Sequence, residues 1–163
     1  MARIIRGGEV VEDPWILVEE SPPDPVAVPR PAMLPLSAWL SLPPEVRGQG
    51  DTAPWLASGE EFEEAVDALL QAPLIALHFP VFRDGRHFST AFLLRKRYGY
   101  RGELRAVGHV IRDQLFYLTR CGFDSVQLRE GMDPEAALAS LADFSLVYQP
   151  AADDRAPLLR RRS

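Results

Sequence analysis

Apolar and polar positions along the chain fall into blocks of two different periods. "RIIRGGEVVEDPWILVEE", near the N-terminus, alternates on either side of Gly7-Gly8 and predicts two short strands around a turn. "SPPDPVAVPRPA" carries five prolines in twelve residues, which predicts an extended linker that is neither helix nor central strand. From Leu34 the pattern alternates between strand and helix. The first strand is expected over Leu34 to Leu42, followed by a Pro- and Gly-rich loop, "PPEVRGQGDTAPWLA". Ser58 and Glu61 have capping-box spacing, and Phe62, Ala65, Val66, Leu69 and Leu70 then share a helical face. Leu74 to Phe79 is almost wholly apolar, as a strand buried on both faces should be. A helix with Phe88, Ala91, Phe92 and Leu94 on or near one face follows. "ELRAVGHV", "DSVQL" and "FSLVYQ" read as further strands. "IRDQLFYLTRC" reads as a helix with Gly122 in the C′ place, and Asp133-Pro134 starts another.

The expected fold is therefore α/β. It is a mostly parallel sheet of about five strands with alternating helices, either an open sheet or a partial TIM-like barrel, preceded by a short N-terminal β segment. The corresponding organisation is an N-terminal β segment over 1–18, a Pro-rich linker over 19–33, an α/β domain over 34–149 and a tail over 150–163.

Composition narrows the class. Hydrophobic residues at 47% and charged residues at 25% are an ordinary globular balance. No apolar run reaches the roughly 18 residues that span a bilayer, and no secretory h-region opens the chain. The single cysteine, Cys121, excludes an internal disulfide and a four-cysteine iron–sulfur cluster, and it suits a cytoplasmic protein. The net charge of −5 hides a strong asymmetry: residues 1–82 carry −9, residues 83–112 carry +6 and residues 113–163 carry −2. A basic segment inside an acidic chain argues against general nucleic-acid binding and for a local anion or acidic-partner site. The alternative, solvated helix faces, stays open.

In parallel α/β folds the loops beyond the carboxyl ends of the strands meet ligands. That rule selects Arg83, Asp84, Gly85, Arg86, His87 and Ser89 after one strand, Gly108, His109, Arg112, Asp113 and Gln114 after the next, and Arg129 and Glu130 after the one beyond. Gly85 permits a tight turn or a close backbone approach. Arg86 and Ser89 could donate to one anion beside a helix start, and Arg112 could join them. The competing reading is a structural network of Asp84, Arg86, Arg112 and Asp113 that locks two loops. His109 and Asp84 are the acid–base candidates, with His87 on the same loops; His78, inside an apolar strand, reads as a core histidine. No H-x-x-H or H-E-x-x-H spacing occurs, so no metal site is expected. No G-x-G-x-x-G follows the first strand, so no dinucleotide cofactor is expected either. Cys121 reads as a small buried residue, and Glu103 with Arg105 should face one side of their strand, within reach of Arg95.

The run from Phe79 to Ser125 holds F-P-x-F-x-D-G-R-x-x-S, L-L-R, G-E-L-R-A-x-G, R-D-Q and R-C-G-F-D in order. In this it resembles the bacterial family called domain of unknown function 934. The resemblance implies a protein either uncharacterised or described as an oxidoreductase of sulfite reduction, encoded near assimilatory sulfite reductase. It brings no established catalytic residues. The chain holds no cluster ligands and no cofactor motif, so whether it is itself an enzyme stays open, and the electrons are expected to pass through a different polypeptide. The leading expectation is an accessory protein of sulfite assimilation. It would act through a basic strand-end surface on sulfite reductase or another sulfur-assimilation protein, and it could be a homodimer. The alternative is a small enzyme or carrier that binds sulfite, sulfate or a phosphate group at Asp84-Gly85-Arg86.

Overall fold

The alternating runs around Gly7-Gly8 form a hairpin, β1 (Ala2–Arg6) with β2 (Glu9–Asp13). This is seen in a computed structural model of the chain, which describes residues 2–80, 86–110 and 114–145. A two-residue strand, β3 (Ile16–Leu17), comes next. It is followed by β4 (Ala32–Pro35), β5 (Thr52–Leu56), β6 (Leu74–Phe79), β7 (Glu103–Gly108) and β8 (Ser125–Val126). Strands β3 to β8 pair in parallel in chain order. Strand β1 then joins β8 antiparallel, and the sheet order is β2-β1-β8-β7-β6-β5-β4-β3. The eight strands curl as a half-barrel. The class is α/β as expected, but the sheet is larger than five strands and antiparallel at one end. The N-terminal hairpin is that end rather than a prelude to the sheet.

The helices are α1 (Leu36–Leu40), α2 (Pro44–Arg47), α3 (Val66–Leu69), α4 (Arg86–Phe92), α5 (Leu115–Arg120) and α6 (Pro134–Ser145). Successive parallel strands are added in one direction, and right-handed crossovers then carry the helices to one face of the sheet. The packing agrees. Leu36, Leu69, Ala91, Leu115 and Ala137 of the helices share one buried cluster with Leu34, Ile75, Leu77, Leu104 and Val126 of the strands. The alternate strand positions Met33, Ala53, Leu74, Ala76 and Val107 form a second cluster on the opposite, inner face, with Trp15, Leu17 and Trp55 against it.

Several local expectations change. The strand expected over Leu34–Leu42 ends at Pro35, and Leu36, Ala38 and Trp39 continue as helix with their side chains buried. The loop expected over 43–57 contains α2 and all of β5. The Ser58–Glu61 capping box does not start a helix there, because helical backbone begins with a 3-10 turn at Glu63–Ala65 that leads into α3. Of the last expected strand, Phe144 and Ser145 are helical, as the end of α6, and 146–149 lie outside the described residues.

Candidate functional site

Helix α4 does not stop at Phe92. It loosens into a π-helical turn over Leu93–Arg97, closed by the Tyr98 N–H donating to the Leu93 carbonyl at 3.0 Å. Such turns insert an extra residue and rotate the side chains beyond it. The turn carries Leu94 fully into the core and aims Arg95 at the neighbouring loops. Arg95 then uses its whole fork. Nη1 donates to the carbonyls of Tyr100 and Gly102, each at 2.8 Å. Nε and Nη2 donate to the Gly122 carbonyl at 3.2 and 3.1 Å, and Nη2 also pairs with the Asp124 carboxylate. A guanidinium is the side chain that can satisfy so many acceptors in one plane. Arg95 therefore rivets α4 to the α5–β8 turn. Its ion-pair partner is Asp124, not the Glu103–Arg105 pair expected from the sequence.

Helix α5 ends as the sequence predicts. Gly122 has φ +104°, a conformation costly for any residue with a Cβ. The Phe123 N–H reaches the Leu118 carbonyl at 3.2 Å and the Gly122 N–H the Thr119 carbonyl at 3.4 Å, a Schellman stop. The stop turns the chain into β8 and leaves Cys121 half-buried rather than buried.

Between the two helices lies a groove of about 900 Å³. Phe88, Phe92 and Leu93 line it from α4 and the π turn, and Tyr117 and Cys121 from α5. Phe88 and Tyr117 meet edge to face, with ring centroids 4.6 Å apart. Phe92 is 55% exposed and Tyr117 50%, large apolar surface for solvent-facing helix positions. The lining holds four basic side chains, Arg95, Lys96, Arg101 and Arg120, and one carboxylate, Asp124, a formal charge of +3 over the lining residues. The Tyr117 hydroxyl is held above its ordinary pKa, first by negative charge on the Cys121 sulfur one turn later and then by burial.

The residues singled out at the strand ends scatter. Ser89 lines the groove. Arg86 opens α4, but its guanidinium runs to Gly59, where Nη1 lies 2.9 Å from the position a Cβ would take. His109 is half-buried, and its backbone N–H donates to the Phe79 carbonyl at 2.7 Å. Gln114 caps α5 without a side-chain hydrogen bond to the helix. Arg83, Asp84, Gly85, Arg112 and Asp113 lie outside the described residues. The histidine assignments exchange places. His87 is 2% exposed and packs edge to face on Phe79, with ring centroids 5.3 Å apart. His78, expected in the core, is half-buried at the end of β6, with its ring centroid 5.2 Å from that of Trp55. Burial lowers its pKa, partly offset by the charge of Glu19. Gly108 lets β7 approach it closely, since a Cβ there would stand 2.7 Å from the Phe79 carbonyl and 3.0 Å from His78 Nε2.

Sequence reasoning also missed an ion network on the inner face. Arg105 is 0% and Asp13 1% exposed. Arg105 Nη1 and Nη2 clasp the Asp13 carboxylate at 2.7 and 3.0 Å, and Nη2 reaches Glu103 at 2.7 Å. The Ser125 hydroxyl donates to Glu103 at 2.7 Å and accepts from Arg105 Nε at 3.1 Å. Arg6 reaches Asp13 and Glu103 at 3.1 and 3.3 Å. Burial pushes the Glu103 carboxyl upward, but Ser125, Arg105 and Arg6 together outweigh it and hold its pKa below the ordinary value. The available signal was an arginine inside the apolar alternation of β7. The Asp13 carboxylate and all three guanidinium nitrogens of Arg105 are engaged within the protein, which makes the network a structural clamp between the hairpin and the sheet.

Among the described residues, no group of three or more histidine, cysteine, aspartate or glutamate residues is arranged to hold a metal ion, and no helix is long and apolar enough to cross a membrane. The family described as bacterial protein of unknown function (DUF934) matches residues 53–159, about two thirds of the chain, and the chain belongs to it. No curated protein and no solved structure matches. Both walls of the groove fall within the matched residues.

Proposed function

We propose that this DUF934 protein is an accessory factor of assimilatory sulfite reduction, which docks a protein partner through the groove between α4 and α5. One observation carries the docking reading. Two exposed aromatic side chains stand over an apolar floor whose lining holds a net +3, in a chain whose total charge is −5. Central aromatic anchors with charge around them are the usual make-up of a protein contact surface. The sulfur assignment rests on the resemblance carried by the motifs from Phe79 to Ser125, and sulfite reductase is accordingly the first partner to test. The expected surface at the strand ends gives way in this reading to the helical face, where Ser89 already lies.

The test is co-purification from sulfate-grown cells. Tagged wild-type protein should retain sulfite reductase, and the Phe92→Ser variant should not. A deletion strain with normal sulfite reductase activity and normal growth on sulfate, together with no retention by the wild type, refutes the proposal.

A further inference from the structure

We infer that the occupant of the groove is an amphipathic helix with acidic flanks, presented by the partner. The inference rests on the docking reading above and adds the chemistry and shape of what is docked. The walls are themselves helical: α4 with its π continuation on one side and α5 on the other. Helical walls spend their backbone donors and acceptors internally, so they offer no ladder to an added strand. The sheet edges that could extend a ladder belong to β2 and β3, and neither contributes a residue to the groove. A helix brings its own satisfied backbone and can lay one apolar face between two helical ridges, about 8–10 Å from each axis.

The contacts then follow from the side chains. Apolar residues of the incoming helix, spaced i, i+3, i+4 and i+7, meet Phe92 and Tyr117 over Leu93. Glutamates or aspartates on its flanks meet Lys96 of the π turn and Arg101 of the loop after it on one side, and Arg120 of α5 on the other. Basic flanks would be repelled by the same residues, so charge sets the choice of partner while the aromatic floor supplies the affinity. Arg95 takes no part in recognition. It shapes the groove by tying its walls together.

The experiment is fluorescence anisotropy with the full chain and two labelled helical peptides of about 16 residues. Both carry Leu and Phe on one face; one has Glu on its flanks and the other Lys. The Glu peptide should bind at least about tenfold tighter than the Lys peptide, and its binding should weaken as salt is added. Phe92→Ser should weaken it about tenfold or more, because Phe92 stands where an interface anchor would. Lys96→Glu with Arg101→Glu should abolish the preference or reverse it. These positions are exposed, and unchanged circular dichroism and melting will show that the variants fold. Equal binding of the two peptides, or Phe92→Ser binding the Glu peptide as tightly as the wild type, overturns the inference. So does self-association that Phe92→Ser removes, since the occupant would then be a second copy of the chain. Retention of sulfite reductase without binding of the Glu peptide would sink this inference alone. Peptide binding without retention would sink only the sulfite-reductase reading.

Discussion

Asp13→Ala breaks the inner-face clamp at its most buried point, and its effect can be worked out from the contacts. Asp13 accepts two hydrogen bonds from Arg105, one from Arg6 and one from the Trp15 backbone N–H, and it is 1% exposed. Removing the carboxylate leaves Arg105 fully buried. Its Nε and Nη2 keep Glu103 and Ser125, while Nη1 loses Asp13. Stranding one partner of a buried ion pair costs about 3–5 kcal/mol. Because Glu103 still neutralises the arginine, the lower end, about 3 kcal/mol, is expected. For a chain of this length that lowers the melting temperature by about 6–12 °C. Arg105→Met in the same background should restore much of the loss, since an apolar side chain of similar volume needs no counter-charge. The assay is urea and thermal unfolding of the wild type, both single variants and the double variant. A loss below about 1 kcal/mol for Asp13→Ala, or single effects that add to within about 0.5 kcal/mol in the double variant, would refute the clamp.

Two further outcomes follow from the same contacts. The folded-state pKa of Glu103 is depressed, so its contribution to stability is complete above the unfolded value and is lost as pH falls through the folded one. Urea midpoints measured from about pH 6 to about pH 3 should fall with pH, and Glu103→Gln should flatten that slope. Arg95→Lys keeps the charge but not the fork, so one ammonium must replace donors to Tyr100, Gly102, Gly122 and Asp124. It should destabilise the protein by about 1.5–3 kcal/mol and weaken partner retention with the rim charges intact, read by urea unfolding and co-purification.

Legibility in the sequence followed how local the cause was. Strand β6 was plain because both of its faces are buried, and the stop of α5 was plain because Gly122 is the one residue suited to that backbone. Strand β5 was hidden by Pro54, which is tolerated because pairing with β6 covers only Trp55 and Leu56. The run from Leu34 to Leu42 alternates like a strand, yet Pro35 ends β4 and the burial of Leu36 and Trp39 follows helical spacing. The basic segment between acidic flanks includes Lys96 and Arg101, which line the groove. Its rim could not be drawn, because Lys96 and Arg101 share the groove with Arg120 of the next helix, on walls that Arg95 ties together. Phe92 read as core with Ala91, but the structure buries Ala91 and leaves Phe92 in solvent. The Asp13–Arg105 pair joins residues 92 apart in the chain, so no local pattern could announce it.

Site-directed photo-crosslinking in cells grown on sulfate tests the central claim most directly. A photoreactive residue placed at position 92, in the groove, should capture a sulfite reductase subunit, and one placed at exposed Ile16 on the far edge strand β3 should not. Capture from position 16 but not from position 92, or from neither, would contradict the groove as the docking surface.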